Sequence, residues 1–123
     1  MPPRILIVDD NSLVRDLVRT CFESEPGWHV CGEAGNGKDA IEKAQGVQPN
    51  LIVLDLSMPV MNGLEAAKVL SNQMPSVPLI MYTSFQTHHL EQEALAAGIS
   101  RVIVKSEPMD LIACVRSLTK EVA

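Results

Sequence analysis

Aromatic residues are scarce in this chain, which has one Trp, one Tyr and two Phe among 123 residues. Because 46% of the residues are hydrophobic, the core must be built mainly from aliphatic side chains, as buried parallel sheets usually are. Cysteines are few, and Cys21, Cys31 and Cys114 are widely spaced, odd in number and form no C-x-x-C pair. A disulfide framework and a zinc site therefore have little support, and we expect a reducing, cytoplasmic setting.

An excess of positive charge is also missing. The net charge is -5, the isoelectric point is about 5.1, and there is no run of Lys or Arg. This balance argues against direct binding of nucleic acid or of an anionic membrane by this chain. No apolar run has the length of a signal-peptide core or of a membrane span. We expect residues 1–123 to form one domain, which buries about two thirds of the surface exposed when it is unfolded.

Five short apolar stretches alternate with amphipathic segments that glycine and proline interrupt. The predicted strands cover residues 4–9, 28–34, 51–54, 79–83 and 101–104. Strands and helices that alternate five times with short connections predict an α/β layer structure with right-handed crossovers. The first predicted helix begins near Leu13, after a cap at Asn11 or Ser12, and the last covers about residues 109–120. The apolar face of the first helix comprises two rows, Leu13, Leu17, Cys21 and Val14, Val18, Phe22.

Four of the strands end in residues that can handle metal or phosphate. If the strands are parallel, their carboxyl ends share one edge, where Asp9, Asp10, Asp55, Thr83 and Lys105 converge. An aspartate that attacks a phosphoryl group needs cationic help, and several carboxylates together form an oxygen ligand set that suits Mg²⁺. The lysine ammonium and the threonine hydroxyl can each interact with a phosphoryl oxygen.

Each of these residues also has an ordinary interpretation when it is taken alone. Paired acids often cap a solvated turn, a single lysine is usually solvated, and only the shared edge favours the functional interpretation. A rival motif is Gly35-x-Gly37-x-x-Ala40, which matches a dinucleotide-binding fingerprint. It follows the second strand rather than the first, and 123 residues leave no room for two mononucleotide halves. A glycine-rich turn explains it better.

Several segments carry a family resemblance when they are taken in order. They are Ile7-Val8-Asp9-Asp10-Asn11, Gly32 to Gly37, Leu54 to Ala66, Tyr82-Thr83-Ser84, Ala94 to Gly98 and Lys105-Ser106. On these segments the chain resembles receiver domains of bacterial two-component response regulators over essentially its whole length. It is most similar to receivers that precede LuxR-type helix-turn-helix output domains. The resemblance implies a flavodoxin-like three-layer sandwich, with a five-stranded parallel sheet in the order 2-1-3-4-5 and five helices on both faces.

The resemblance also implies roles for the residues at the sheet edge. Asp55 would accept a phosphoryl group from a sensor histidine kinase, and Lys105 and Thr83 would bind that group. Mg²⁺ would be bound by Asp10, Asp55 and the main-chain carbonyl of Ser57, and Asp9 would complete the metal site through water. The chain would be a signalling switch that catalyses only its own phosphorylation and dephosphorylation. A C-terminal DNA-binding output domain, absent from this chain, and a homodimer formed on phosphorylation are further expectations.

Two positions depart from the usual receiver pattern. Val102 stands where receivers usually have an aromatic residue that swings inward on activation, so a rotating ring cannot report the state of this domain. Ser106 stands where many receivers have proline after the lysine, which leaves the isomer of that peptide bond open. Two alternatives are a magnesium-dependent phosphohydrolase and a degenerate receiver that only binds partners. Ser57 disfavours the first, since such enzymes usually have an aspartate there, and the intact set of site residues disfavours the second.

Overall fold

The computed structural model describes residues 3–106 and 108–119. Five strands are present, β1 (Arg4–Val8), β2 (His29–Ala34), β3 (Leu51–Leu54), β4 (Leu79–Thr83) and β5 (Arg101–Val104). They alternate with five helices, α1 (Ser12–Glu23), α2 (Gly37–Val47), α3 (Gly63–Gln73), α4 (His88–Ala96) and α5 (Pro108–Thr119). Within these described ranges, no helix is long and apolar enough to cross a membrane.

The strands form one sheet in the order β2-β1-β3-β4-β5, and every neighbouring pair is parallel. This arrangement confirms the predicted fold class and strand order. Parallel strands joined through helices require crossovers, so the helices cover both faces of the sheet. All five carboxyl ends of the strands consequently lie along one edge.

Side chains from successive strand residues enter two separate cores, because neighbouring residues of a strand point to opposite faces. On one face, Leu6, Ile52 and Met81 pack with residues of α2, α3 and α4. On the other face, Ile7 and Tyr82 pack with residues of α1 and α5. Among the described residues, the first core contains no aromatic residue and the second is mainly aliphatic, with Phe22 and Tyr82 as its buried aromatic residues, which agrees with the expectation drawn from the composition.

Strand ends differ from the predicted ones by at most one residue. β1 ends at Val8 rather than at residue 9, because the chain turns at Asp9, whose carboxylate accepts a hydrogen bond from the Asn11 N–H at 2.9 Å. β2 begins at His29 rather than at residue 28 and contains an unpredicted bulge, where Cys31 is the extra residue between two registered pairs with β1. The predicted bounds of β4 and β5 agree with the structure.

Helix α1 contains the largest error of the sequence interpretation. Its cap is Asn11, one of the two predicted candidates, and the Asn11 side chain accepts hydrogen bonds from the N–H groups of Leu13 and Val14. The predicted apolar face was too wide, since Leu13 and Leu17 are 76% and 56% exposed, whereas Val18 and Phe22 are buried. Helix α5 begins at Pro108 and ends at Thr119, and the predicted final residue, 120, lies outside the described residues.

Candidate functional site

Three carboxylates meet at the carboxyl ends of two adjacent central strands. Asp9 and Asp10 follow β1, Asp55 follows β3, and each offers an oxygen atom within 4.8 Å of the others. Asp9 and Asp55 are only 4% and 6% exposed, while Asp10 is exposed at the rim. Burying carboxylates this close together is unfavourable unless a cation accompanies them.

Lys105 supplies one such positive charge. It directly follows β5, and its Nζ lies 2.8 Å from Asp9 Oδ2 and 3.1 Å from Asp55 Oδ2. Three carboxylates facing one ammonium leave a formal excess of two negative charges. The arrangement therefore suits a divalent cation, and oxygen donors of this kind favour Mg²⁺.

Burial and charge act against each other in this cluster. Burial raises the pKa of the Asp55 carboxyl above its usual value; the Lys105 hydrogen bond opposes this shift, while the negative charge of Asp9 adds to it. Burial alone would lower the pKa of the Lys105 ammonium, but its hydrogen bonds to Asp9 and Asp55 outweigh that effect and raise the pKa. Lys105 therefore stays cationic at neutral pH, and a second cation beside Asp55 would favour the ionised form of its carboxyl.

Thr83, the last residue of β4, is completely buried. Its carbonyl oxygen accepts a hydrogen bond from the Lys105 N–H at 2.8 Å, and its hydroxyl accepts one from the Phe85 N–H at 3.4 Å. One carboxylate oxygen of Asp55 accepts a hydrogen bond from the Leu56 N–H at 2.7 Å. Thr83 thus contacts Lys105 through its main chain, while its hydroxyl lies against the loop that follows β4.

Ser57 lies on the loop between β3 and α3 and is exposed. An open cleft at this edge is lined by Asp10, Leu56, Ser57, Met58, Pro59 and Asn62. The exposed side of the acidic cluster therefore faces a space that a phosphate-sized ligand can enter. The structure thus brings Asp9, Asp10, Asp55 and Lys105 together directly, with Ser57 on the cleft wall.

Two residues that contact this cluster were missed from the sequence. The Arg15 guanidinium donates a hydrogen bond to the Asp9 main-chain carbonyl at 2.6 Å, and it also pairs with Glu33 at 3.0 Å. The Tyr82 hydroxyl donates to the Lys105 main-chain carbonyl at 2.8 Å. Arg15 could have been noticed because it is six residues after Asp9, early in α1, and Tyr82 because it directly precedes Thr83.

Both positions that depart from the receiver pattern, Val102 and Ser106, lie within the residues that the structure describes. Val102 is half-buried and packs against the core on the α3 and α4 side of the sheet. The peptide bond between Lys105 and Ser106 is trans, since the described residues contain no cis peptide bond. Val102 thus places a small aliphatic side chain where the receiver pattern has an aromatic ring.

Val60, on the loop beside the cleft, has an unfavourable backbone conformation. Its φ is 68°, a region that β-branched residues rarely adopt, and its side chain is 79% exposed. We expect Val60→Gly to raise the free energy of unfolding by about 1 kcal/mol, because glycine adopts this φ without steric conflict. Val60→Ala, which keeps a Cβ, is the control and should give a smaller gain. Urea titration measures both, and a loss of stability in the glycine variant would contradict this account of Val60.

Comparison with known protein families identifies the family of this chain. The family described as response regulator receiver domain matches residues 5–116, a range that contains all six predicted site residues. This chain belongs to the response regulator receiver domain family. Receiver domains are phosphoacceptor modules of two-component signal transduction, and the chain has that role.

The relatives of this receiver domain differ in how much of their length it covers. Chemotaxis protein CheY of Thermotoga maritima is 31% identical over 98% of this chain and 100% of CheY. A protein-glutamate methylesterase/protein-glutamine glutaminase of Methanosarcina acetivorans is 41% identical over 85% of this chain, but over only 30% of that protein. Among solved structures, a LuxR-family response regulator from Aurantimonas sp. SI85-9A1 has a TM-score of 0.91 and 28% identity, covering 96% of this chain and 85% of that one.

This chain covers only part of most of these relatives, so the activities in their names cannot all be assigned to it. The chain spans half or less of the length of the first curated relatives that it matches. The esterase named in the methylesterase relatives is therefore not assigned to this chain. The similarity to CheY, by contrast, extends over the whole length of that protein.

Proposed function

We propose that Asp55 is the phosphoacceptor of this receiver domain. The observation that carries the proposal is the placement of a buried carboxylate at the end of a central strand, with the Lys105 Nζ 3.1 Å from Asp55 Oδ2. Two further carboxylates lie within 4.8 Å, and the exposed one, Asp10, lines an open cleft. A nucleophile, a fixed positive charge and an oxygen ligand set are the components that phosphoryl transfer to a carboxylate requires.

In the transfer, a carboxylate oxygen of Asp55 attacks the phosphorus of a phosphohistidine in a sensor histidine kinase. The new O–P bond forms as the P–N bond breaks, and the electron pair of that bond stays on the imidazole, which takes up a proton. Lys105 exchanges part of its contact with Asp55 for a phosphoryl oxygen, and the Thr83 hydroxyl donates to another. Water later attacks the phosphorus and releases inorganic phosphate, which returns Asp55 to its free carboxylate.

Mg²⁺ is the cofactor that the donor set fits. Asp9, Asp10, Asp55 and the main-chain carbonyl of Ser57 would hold it, since their oxygen atoms are the ligands that Mg²⁺ prefers. The ion supplies positive charge that offsets the excess of two negative charges at the site and the charge of the phosphoryl group. Asp9 and Asp55 both bind the Lys105 ammonium, which holds these two carboxylates side by side.

We further propose that residues 1–123 act as one cytoplasmic receiver domain that switches a transcriptional output. The support is the similarity to the two-component response regulator of the LuxR family from Aurantimonas sp. SI85-9A1. A sensor histidine kinase would be the upstream partner, and a DNA-binding output domain or a second copy of the receiver would be the downstream one. Movement of Thr83 toward the phosphoryl group would change the surface around α4, which follows β4 in the chain.

Intact-mass measurement tests this function directly. The chain is incubated with a small phosphodonor, with Mg²⁺ or with a chelator, and borohydride reduction then converts any aspartyl phosphate to homoserine for mapping. We expect a gain of one phosphoryl group that depends on Mg²⁺ and maps to residue 55. A gain that maps to another residue, or no gain at all, would overturn the proposal. Continuous turnover of a free phosphate ester would instead favour a phosphohydrolase.

A further inference from the structure

Both main-chain polar groups of Lys105 are held by two successive residues of β4. The Lys105 N–H donates to the Thr83 carbonyl at 2.8 Å, and its carbonyl accepts a hydrogen bond from the Tyr82 hydroxyl at 2.8 Å. The last registered pair between the two strands is Thr83 with Val104, so Lys105 lies just beyond the ladder. The Tyr82 hydroxyl therefore binds the chain to β4 one residue beyond the last strand pair.

Tyr82 is itself held firmly by the scaffold. Its side chain is 4% exposed and packs in the core between the sheet and helices α1 and α5, together with Leu111 and Val115 of α5. A tyrosine ring has only two side-chain torsions, so a ring packed in this way carries its hydroxyl to a well-defined position. The Lys105 backbone is thus anchored to the core rather than to a loop.

The anchor acts on the reacting end of Lys105. A lysine side chain has four rotatable bonds, so the position of its Nζ depends on where its main chain starts. That Nζ contacts both Asp9 and Asp55, and the lysine side chain is only 20% exposed. A shift of the backbone at Lys105 would move the ammonium away from the position where phosphoryl charge develops, and misplacement by about 1 Å is enough to slow such a reaction strongly.

We propose that Tyr82 is a positioning residue for phosphoryl transfer, whose hydroxyl holds the Lys105 backbone so that Nζ stays on the Asp55 carboxylate. The inference rests on the proposed function of Asp55 and deepens it. It also identifies the aromatic ring that is coupled to this site. Val102 provides none on the α4 side, whereas Tyr82 connects Lys105 to the core beneath α5.

The test is Tyr82→Phe, which removes the hydroxyl and keeps the ring. At saturating Mg²⁺, we expect the rate of phosphoryl gain from a small phosphodonor to fall about tenfold, with Mg²⁺ affinity unchanged. Ser71→Ala is the matched control, because the Ser71 hydroxyl also donates to a main-chain carbonyl of another segment, that of Ala97, but far from the site. A rate in Tyr82→Phe equal to that of Ser71→Ala would overturn the inference.

A spectroscopic measurement separates positioning from a purely structural role. Tyr82 is the single tyrosine of the chain, so labelling with fluorotyrosine gives one ¹⁹F resonance. We expect it to shift when beryllium fluoride and Mg²⁺ occupy the site, and the shift should be lost in Lys105→Met. A resonance that does not respond in the unsubstituted chain would overturn the inference. If the unsubstituted chain gains no phosphoryl group, it is the proposed function that fails, and this inference falls with it.

Discussion

Replacement of Asp55 by asparagine is expected to abolish the phosphoryl gain completely and, at neutral pH, to increase the stability of the fold. The first effect follows because an amide is not a nucleophile toward phosphorus, and no other carboxylate in the cluster has the same placement. Asp9 is bonded to the Asn11 N–H and to Lys105, and Asp10 lies exposed at the rim. Intact mass with Mg²⁺ and a phosphodonor measures this loss.

The stability effect of Asp55→Asn follows from the pKa of Asp55, which lies above its usual value chiefly because of burial. A carboxyl with a raised pKa binds its proton more tightly in the folded than in the unfolded state. The free energy of unfolding therefore falls as the pH rises through the usual aspartate range to the pKa of the folded state, and it stays reduced at neutral pH. Asparagine cannot ionise, so this fall should disappear in the variant.

Unfolding experiments in chelator, across acidic to neutral pH, check the sign of this effect. The stability difference between Asp55→Asn and the unsubstituted chain should be largest at neutral pH and should shrink as the pH falls. Asp10→Asn is the matched control. Since Asp10 is exposed, its substitution should change stability little and raise the Mg²⁺ concentration needed for phosphorylation, while transfer persists at high Mg²⁺. An Asp55→Asn variant that is less stable at neutral pH would contradict the assigned balance of burial and charge.

The meeting of these acids at one edge was predictable because it depends on patterns that the sequence displays. Short aliphatic runs such as residues 51–54, bounded by turn residues, favour strands buried on both faces, and the alternation with helices favours a parallel arrangement. Parallel strands present their carboxyl ends together, so Asp9 and Asp55 had to become neighbours once the strand order was known. The fold and the identity of the acidic cluster were therefore within reach of the sequence.

The hydrogen-bond partners of the site residues could not be predicted from the sequence. The hydrogen bond from Arg15 to the Asp9 carbonyl, and that from Tyr82 to Lys105, join residues through distances that only the packed structure determines. No periodic pattern marks such contacts, because each depends on one rotamer and one approach of two elements. In both hydrogen bonds the acceptor is a main-chain carbonyl, which every residue type has. The accepting residue therefore gives no signal in the sequence.

The error in α1 has a related cause. Hydrophobic spacing shows that a helix has an apolar face, but the part of that face which meets the sheet depends on how the helix is rotated and tilted. In the structure, Val18 and Phe22 are buried in the core and Cys21 packs at its border, whereas Leu13 and Leu17 lie at the surface. Spacing alone could not separate the two rows, because both repeat every four residues.

Gly63→Ala is expected to destabilise the protein by at least about 3 kcal/mol or to prevent folding. Gly63 is the first residue of α3, and its N–H donates to the Leu56 carbonyl at 2.9 Å. A Cβ at this position would lie 2.1 Å from the main-chain carbonyl oxygen of Asp55 and 3.1 Å from Leu56 Cα. These are backbone atoms at the end of a central strand, so no flexible side chain can move aside to make room.

Gly46→Ala is the matched control, because it makes the same chemical change within a helix where the added methyl meets nothing within 4 Å. That variant should be more stable by about 0.5–1 kcal/mol, since alanine loses less conformational freedom on folding than glycine. Urea titration of both variants gives the comparison, and a loss below about 1 kcal/mol for Gly63→Ala would contradict the close approach described here. Because the obstructed carbonyl belongs to Asp55, any Gly63→Ala protein that does fold must displace that residue. Its phosphorylation should therefore fall even when the folded fraction is taken into account, which links the packing at the start of α3 to the chemistry at the end of β3.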